Sequence, residues 1–424
     1  MVKYDADVII VGAGPAGSLA AYELATRGVR VLILEKALFP RYKVCGGGLT
    51  HKIIREIPFD VSEVIETVIR TVQFSSGFKH VYSRTSDVPL MYCTMRSKLD
   101  QFLLGKAINA GAEARLLHKV AEVREEKDSI HVITKERMFV SALVIGADGP
   151  SSIVARSAGL RRHIKQGLAW EAEITADAEN LKKYSDTVFL DWGSFPGGYG
   201  WVFPKSDHFS VGVGGPASLS KQMIPYYRKF LNYLRFDSPH VSSGELQYPI
   251  SSIQHPASSI QHPALGKGPR SWPIPVRIKK GAFHEGRILV AGDAAGLTDS
   301  LTGEGIYYAV RSGKLAAEAC LRYMQGQAGA LKTYSGNVND ELMTELLEGN
   351  KIMHIFNTVP SKIHFFVRDN DRAWRAFGKV LRGERSYKDV KTGFGKWKMF
   401  WNLAAFISGW FEKIKTWRYR KKND

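Results

Sequence analysis

Cysteine is scarce in this sequence: Cys45, Cys93 and Cys320 are the only three in 424 residues. They form no CxxC pair, which argues against a zinc site, an iron–sulfur cluster or a disulfide framework. None of the twelve histidines falls at HExxH or a similar ligand spacing, so no metal is expected. Long apolar runs are also missing, and none reaches the ~18 residues that a transmembrane helix needs. The amino terminus runs straight into a strand and a turn without a cleavable secretory signal. A reducing, cytoplasmic setting is the expectation. Acidic residues are in short supply: 41 Asp and Glu stand against 59 Lys and Arg, a formal charge of +18. That balance suits nucleic acid, anionic lipid or a phosphorylated substrate. No nucleic-acid-binding module accompanies the charge, so no nucleic acid is expected as a partner.

Glycine, by contrast, is placed with purpose. The stretch ADVIIVGAGPAGSLAAYELATRGVRVLILEK reads as strand, tight turn, helix and second strand. Gly12, Gly14 and Gly17 give GxGxxG: the first makes the turn, the second admits a pyrophosphate, and the third lets the helix pack on the strand. Pro15 suits the first helical turn, where its missing N–H costs little. With Ala16 it opens a helix N-terminus that offers amides to phosphate. Glu35, followed by Lys36, ends the second strand, where its carboxylate can accept from ribose hydroxyls. Together these features predict a dinucleotide site.

Two later segments separate FAD from NAD. ALVIGADGPSS is an apolar strand ending at Asp148-Gly149. GRILVAGDAAGLTDSLTGEGIYYAV is a strand ending at Asp293, then a glycine-rich turn with Gly303 and Gly305, then a helix from Ile306. An NAD site needs neither. All three segments together resemble the glutathione-reductase-type FAD fold, in the branch of p-hydroxybenzoate hydroxylase. That resemblance implies cofactor contacts for Asp148, Asp293, Gly303, Gly305 and Ile306; a simple turn is the alternative at Asp148. It also implies a contact from Arg96, which opens a helix, with pairing to Asp100 four residues on as the alternative. The alternating stretch from Val120 to Gly146 reads as a β-meander, with the Val120 backbone placed against adenine. No second GxGxxG unit exists, so the reductant, NAD(P)H or a ferredoxin, docks transiently or is another protein.

One puzzle is a lone thiol placed directly before three glycines, in FPRYKVCGGG. In the resembled fold this segment runs along the cofactor, so Gly46 and Gly47 let the backbone pass close to the ring and Cys45 sits near the reacting face. A small, polarizable thiol can act there as an acid, and a buried inert Cys is the alternative. A second stretch, GGYGWVFPK, alternates Tyr199, Trp201 and Phe203 before Pro204. In a strand those three aromatics share one face. Such a wall suits an extended apolar chain, or else fills the core between sheets.

The two stretches together resemble the geranylgeranyl reductase family, from about Asp5 to about residue 330. The resemblance implies an FAD enzyme that saturates double bonds of an isoprenoid chain carried on a lipid or diphosphate. It assigns Cys45 a catalytic role and Tyr199, Trp201, Phe203 and Pro204 a place against the substrate. Rival readings are a flavin monooxygenase or halogenase of the same fold, and an electron-transfer flavoprotein without chemistry of its own.

The expected architecture is α/β: a glutathione-reductase-type FAD-binding Rossmann domain in pieces (1–165, with a small inserted segment near 75–90, and 270–330), an antiparallel-sheet substrate domain at 166–269, and a helical C-terminal region at 331–424. The tandem repeat SSIQHPASSIQHPA is read as a duplication in a surface loop. From Lys391 onward nine Lys or Arg stand against two acids, with Trp397, Phe400, Trp401 and Phe411 at helical steps. This tail suits the plane of a membrane interface, or a helix packed on the body. Peripheral membrane association and an electron-donor protein are therefore expected as partners beside the isoprenoid substrate.

Overall fold

The computed structural model describes residues 3–175, 178–234 and 269–392. The tandem repeat and the basic aromatic tail lie outside the described residues. Short β-branched runs supply the first sheet's centre. Ala6–Val11 pairs in parallel with Val31–Leu34 on one side and Met138–Gly146 on the other, and the latter pairs with Ile288–Val290. Near-continuous burial of Val8–Ile10, Leu32–Leu34 and Leu143–Ile145 is what a parallel sheet covered on both faces requires. Val120–Glu125, Ile130–Thr134 and Met138–Gly146 form the expected meander.

The helix Pro15–Ala25 returns from the first turn and lies against the long helix Ile306–Met324. Their approach depends on missing side chains: a Cβ on Gly17 would stand 1.9 Å from the Gly12 carbonyl oxygen, and one on Gly313 2.3 Å from that of Ala16. Gly17 is thus a packing residue, as the third glycine of the motif should be.

The second sheet has seven strands in the order Arg270–Arg277, Ile164–Thr175, His208–Pro216, Tyr199–Pro204, Thr187–Trp192, Thr71–Ser76 and Lys79–Thr85. It is antiparallel except where Thr187–Trp192 and Thr71–Ser76 run parallel. The sequence placed 270–277 with the cofactor domain and the region near 75–90 as an insert within it. Both instead supply strands of the second sheet. A chain that alternates between two sheets leaves no composition break at the crossing, so the reading by blocks misassigned them. A three-stranded sheet, Gly48–Thr50, Met91–Thr94 and Ile65–Ile69, links the layers.

The C-terminal region is helical, with Thr344–Thr358, Pro360–Asp369 and Asp371–Leu381 laid over the far edge of the second sheet. Trp374 donates to the Thr85 carbonyl at 3.3 Å, Tyr82 to the His364 carbonyl at 3.2 Å, and Phe356 meets Trp192 edge-on at 5.1 Å.

Candidate active site

Between the two sheets lies one continuous cavity of about 1920 Å³. Ligand pockets usually run roughly 300–1,000 Å³, so this one has room for two extended molecules. Its two ends differ in chemistry.

The polar end is built around helix N-termini. Gly14, Pro15 and Ala16 line it, and their helix has no side-chain cap. Gly303, Gly305 and Ile306 line it as well, and the helix from Ile306 is likewise uncapped. Uncapped N-termini facing a cavity leave amides and partial positive charge for a phosphate. Glu35 is 4% exposed, and its two oxygens accept from the amides of Ala13 (2.8 Å) and Ala37 (2.9 Å). That fixes the carboxylate at the cavity wall beside Lys36 and Val120. Gly12 also lines the cavity, whereas Gly17 does not. This donor set fits a dinucleotide such as FAD: orphan amides for a pyrophosphate, a buried acid for a ribose, and space for a flat ring system beyond.

Three predicted cofactor residues carry structural duties too. Asp148 caps the helix Ile153–Ser157, accepting from Ser152 Oγ at 2.5 Å and Ile153 N at 2.7 Å, while burial pushes its carboxyl upward. It lines the cavity, yet this capping is the turn-like role that the sequence held as the alternative. Asp293 faces the cavity and pairs with Lys43 at 3.2 Å. Arg96 is buried and holds Asp100 with two bonds of 2.9 and 2.8 Å. Arg41, which the sequence reading did not single out, adds a contact of 3.0 Å to Asp100. Burial works to raise the Asp100 carboxyl, but the two guanidinium groups override it and hold the group low.

The glycines after Cys45 do more than admit a cofactor. A Cβ on Gly46 would stand 2.7 Å from the Phe203 ring, and one on Gly48 3.3 Å from the same ring. Gly47 has φ +68°, and a Cβ there would meet the Thr94 carbonyl oxygen at 1.9 Å. Bare backbone is needed to seat this loop against the second sheet. Lys205, 2% exposed, ties it down by donating to the carbonyls of Gly46 (2.7 Å) and Thr94 (3.0 Å).

Cys45 is half-buried at the wall where the two ends meet. Its amide donates to Glu171 Oε1 at 2.7 Å, and its sulfur accepts from the Gly47 amide at 3.4 Å. Trp201 Nε1 donates to the other Glu171 oxygen at 3.1 Å. Glu171 is fully buried; desolvation and the neighbouring Glu173 push its carboxyl up to about 7. The sequence reading passed over Glu171, because an acid in an alternating strand resembles a solvent-facing residue.

The other end is apolar. Tyr199, Trp201 and Phe203 all line it, as one strand face should, with Tyr199 and Trp201 rings 5.5 Å apart. Pro204 does not: it is buried behind the wall, where its carbonyl accepts from Thr67 at 3.0 Å. The strand ends there, and Pro204 belongs to its packing. Val72, Phe74, Leu190 and Trp192 extend the wall. Helices from the C-terminal region close it with Ile352, Phe356, Ile363, Phe366, Phe377 and Leu381. The sequence carried these as apolar residues at helical spacing, but nothing in it said which face would meet the cavity. The turn before the long helix is ordered from the same side: Asp299 accepts from Leu301 N at 2.9 Å, Thr302 Oγ1 at 2.6 Å and the Tyr387 hydroxyl at 2.7 Å.

Comparison with known proteins gives a family profile described as FAD binding domain that matches residues 5–340. An uncharacterized protein of Methanosarcina barkeri is 32% identical over 318 residues, covering 75% of this chain and 74% of its own length. The digeranylgeranylglycerophospholipid reductase of Methanocella arvoryzae is 28% identical over 373 residues, covering 84% and 89%. Among solved structures, a geranylgeranyl bacteriochlorophyll reductase-like protein of Thermoplasma acidophilum superposes with a TM-score of 0.65 at 24% identity, covering 83% of this chain and 87% of that one.

Proposed function

Since the chain belongs to the FAD binding domain family, we propose that it is an FAD-dependent reductase that saturates C=C bonds of a geranylgeranyl or other isoprenoid chain. The observation that carries this reading is the single cavity that joins a phosphate-ready end to an aromatic end across Cys45. The similarity to a digeranylgeranylglycerophospholipid reductase points the same way. The chain fits an FAD enzyme through Gly12, Gly14, Ala16, Glu35, Gly303 and Gly305, and a prenyl tail through Tyr199, Trp201 and Phe203. Reduced FAD supplies the hydride.

The residues of the chain do the rest. An isolated trisubstituted alkene is a poor hydride acceptor, so protonation leads and positive charge builds at the tertiary carbon. The ring faces of Tyr199 and Trp201 stabilise that charge in a site from which water is excluded. Cys45, whose sulfur accepts from the Gly47 amide and whose own amide is held by Glu171, stands at the junction as the proton donor or as the group that positions one. Arg270, a cation among the cavity-lining residues, suits a phosphate-bearing headgroup. The electron donor is NAD(P)H or a ferredoxin. Among the described residues no helix is long and apolar enough to cross a membrane; docking at a lipid surface is assigned to the basic aromatic tail.

The test is anaerobic reduction of the holoenzyme, addition of geranylgeranyl lipids and mass analysis. A gain of one H2 per reduced bond, with flavin reoxidation, is the expected result. No mass gain, with rapid O2 uptake stimulated by a small aromatic, would replace this reading by a monooxygenase. Cys45→Ala should lower single-turnover reduction by about 100-fold or more if the thiol supplies the proton. Unchanged turnover would remove Cys45 from the mechanism.

A further inference from the structure

The cavity between the sheets reaches the surface at both of its ends. Leu38 and Leu117 line it and are 43% and 54% exposed. They stand near Glu35 and Val120 in the chain, at the end that suits a dinucleotide. At the apolar end Phe366 lines the cavity and is 58% exposed. Arg372 and Arg385 line it as well and are also exposed. Because a charge is costly to bury unpaired, such side chains mark a rim rather than a wall. A dinucleotide held at the polar end fills the first mouth, which leaves the second for an isoprenoid chain.

The second mouth follows from how the C-terminal helices are held. Thr344–Thr358 touches both Pro360–Asp369 and the last described helix, Tyr387–Thr392, while Pro360–Asp369 touches Asp371–Leu381. Residues 382–386 close the circuit, so the four helices form a ring. One face of the ring is pinned to the second sheet: His364 Nε2 lies 2.7 Å from the His80 carbonyl oxygen, and Trp374 bonds the Thr85 carbonyl. Another face lines the cavity, with Ile363, Phe366 and Val367 on one helix and Ala373, Phe377 and Val380 on the next. These recur at three- and four-residue steps, as one helix face does. An apolar path therefore runs from the aromatic wall to the exposed Phe366.

The rim of this path is basic. Pro360 to Val390 holds eight Lys or Arg against four acids. Three of those acids are already matched: Asp369 by Arg368, Glu384 by Arg382 and Asp371 by Arg84. Lys362, Arg372, Arg375 and Arg385 are exposed and stand outside any ion pair among the described residues. Val390 also lines the cavity, so the basic aromatic segment after it departs from the same ring.

We propose that this helical ring is a membrane-docking portal: its basic rim seats on an anionic bilayer, and the isoprenoid chain passes through it between the bilayer and the aromatic wall. Phosphate-bearing lipid headgroups match the unpaired cations, and Phe366 is placed to enter the interfacial layer. A chain that crosses here never exposes its methylenes to water, which is the costly step in moving an apolar molecule. The portal adds a contact beside the one assigned to the tail. The passage of the chain rests on the reductase reading above; the docking does not.

The experiment is hydrogen exchange of the full-length holoenzyme with vesicles of phosphatidylcholine, alone or mixed with phosphatidylglycerol. Amides in residues 360–390 should exchange more slowly on the anionic vesicles than on the neutral ones, and salt should erase the difference. Protection confined to residues beyond 392 gives docking to the tail alone and overturns the portal. No change on adding vesicles overturns it too. Protection that grows with protein concentration, without vesicles, gives this face to a second copy and also overturns it. A second measurement uses Arg372→Gln combined with Arg385→Gln, with retained flavin absorbance showing that the variant is folded. Losing two rim cations should weaken affinity for anionic vesicles by about 25-fold. Single-turnover flavin reoxidation by a geranylgeranyl lipid carried in subsaturating vesicles should fall in step, while reoxidation by the same lipid in detergent micelles keeps the wild-type rate. Unchanged vesicle affinity overturns the docking. Equal loss in micelles and vesicles overturns the passage by making the two arginines substrate contacts. Protection of 360–390 in a holoenzyme that no geranylgeranyl lipid reoxidises would uphold the docking and overturn the reductase reading.

Discussion

Asp100 and Glu171 are both fully buried, and both hold the segment 41–45, Asp100 through Arg41 and Glu171 through the Cys45 amide, yet their carboxyls are shifted in opposite directions. Asp100 faces two guanidinium groups, from Arg96 and Arg41. Glu171 faces an amide, an indole and another glutamate. Desolvation acts on both in the same sense, so partners decide the outcome. The first arrangement is a fixed ion cluster that anchors the loop between the cofactor end and the thiol. The second is a site whose charge can change during use.

The strongest way to break this contrast is to discharge the fixed member. Asp100→Asn leaves Arg96 buried with its main counter-ion gone. Removing one partner of a buried pair typically costs about 3–5 kcal/mol. Thermal unfolding of the holoenzyme should therefore move sharply downward, with weakened FAD retention because the Cys45 loop loses its anchor. A shift no larger than that of an exposed ion pair would show that Arg41 and Arg96 find other partners.

The second test separates the two by the sign of their pH dependence. The Asp100 carboxyl is lowered in the folded protein. Its stabilising contribution is present above the unfolded value and is lost as pH falls through the folded one. Glu171 is raised from 4.5 to about 7. Its contribution is present below 4.5 and disappears as pH rises through about 7. Glu171→Gln should abolish the neutral-side loss, which is of the order of a few kcal/mol, and leave the acid-side loss untouched. Melting temperatures of both proteins across that window should converge at low pH and separate above neutrality. Parallel curves would mean that Glu171 titrates normally.

Much of this was legible before any fold was known. Gly12, Gly14, Gly17 and Glu35 announce the nucleotide turn because the spacing of backbone-driven motifs is local. Tyr199, Trp201 and Phe203 announce a wall because alternation maps directly onto a strand face. The Glu171–Glu173 pair was not legible: an alternating acid reads as solvent-facing until the neighbouring strand and the Cys45 loop are seen to cover it. Likewise nothing local said that Asp148, which lines the cavity, also holds the first turn of the helix that follows. The misassigned strands at 71–85 and 270–277 show the same limit, since pairing across a long chain separation leaves no local mark.

A smaller change sharpens the comparison from inside the Glu171 site. Trp201→Phe keeps a ring on the wall but removes the indole N–H that favours the ionised form. Glu171 should then titrate higher still. A hydrogen bond to a charged group contributes roughly 1.5–3 kcal/mol, and one to a neutral group roughly 0.5–1.5. The variant should consequently be less stable than wild type at every pH, by about 1 kcal/mol more above the Glu171 titration than below it. The packing loss from the smaller ring is common to both conditions and cancels in that difference. A pH-independent penalty would mean that Trp201 serves Glu171 only as a cover. A penalty that grows as the carboxylate ionises would show the wall and the buried acid acting as one site.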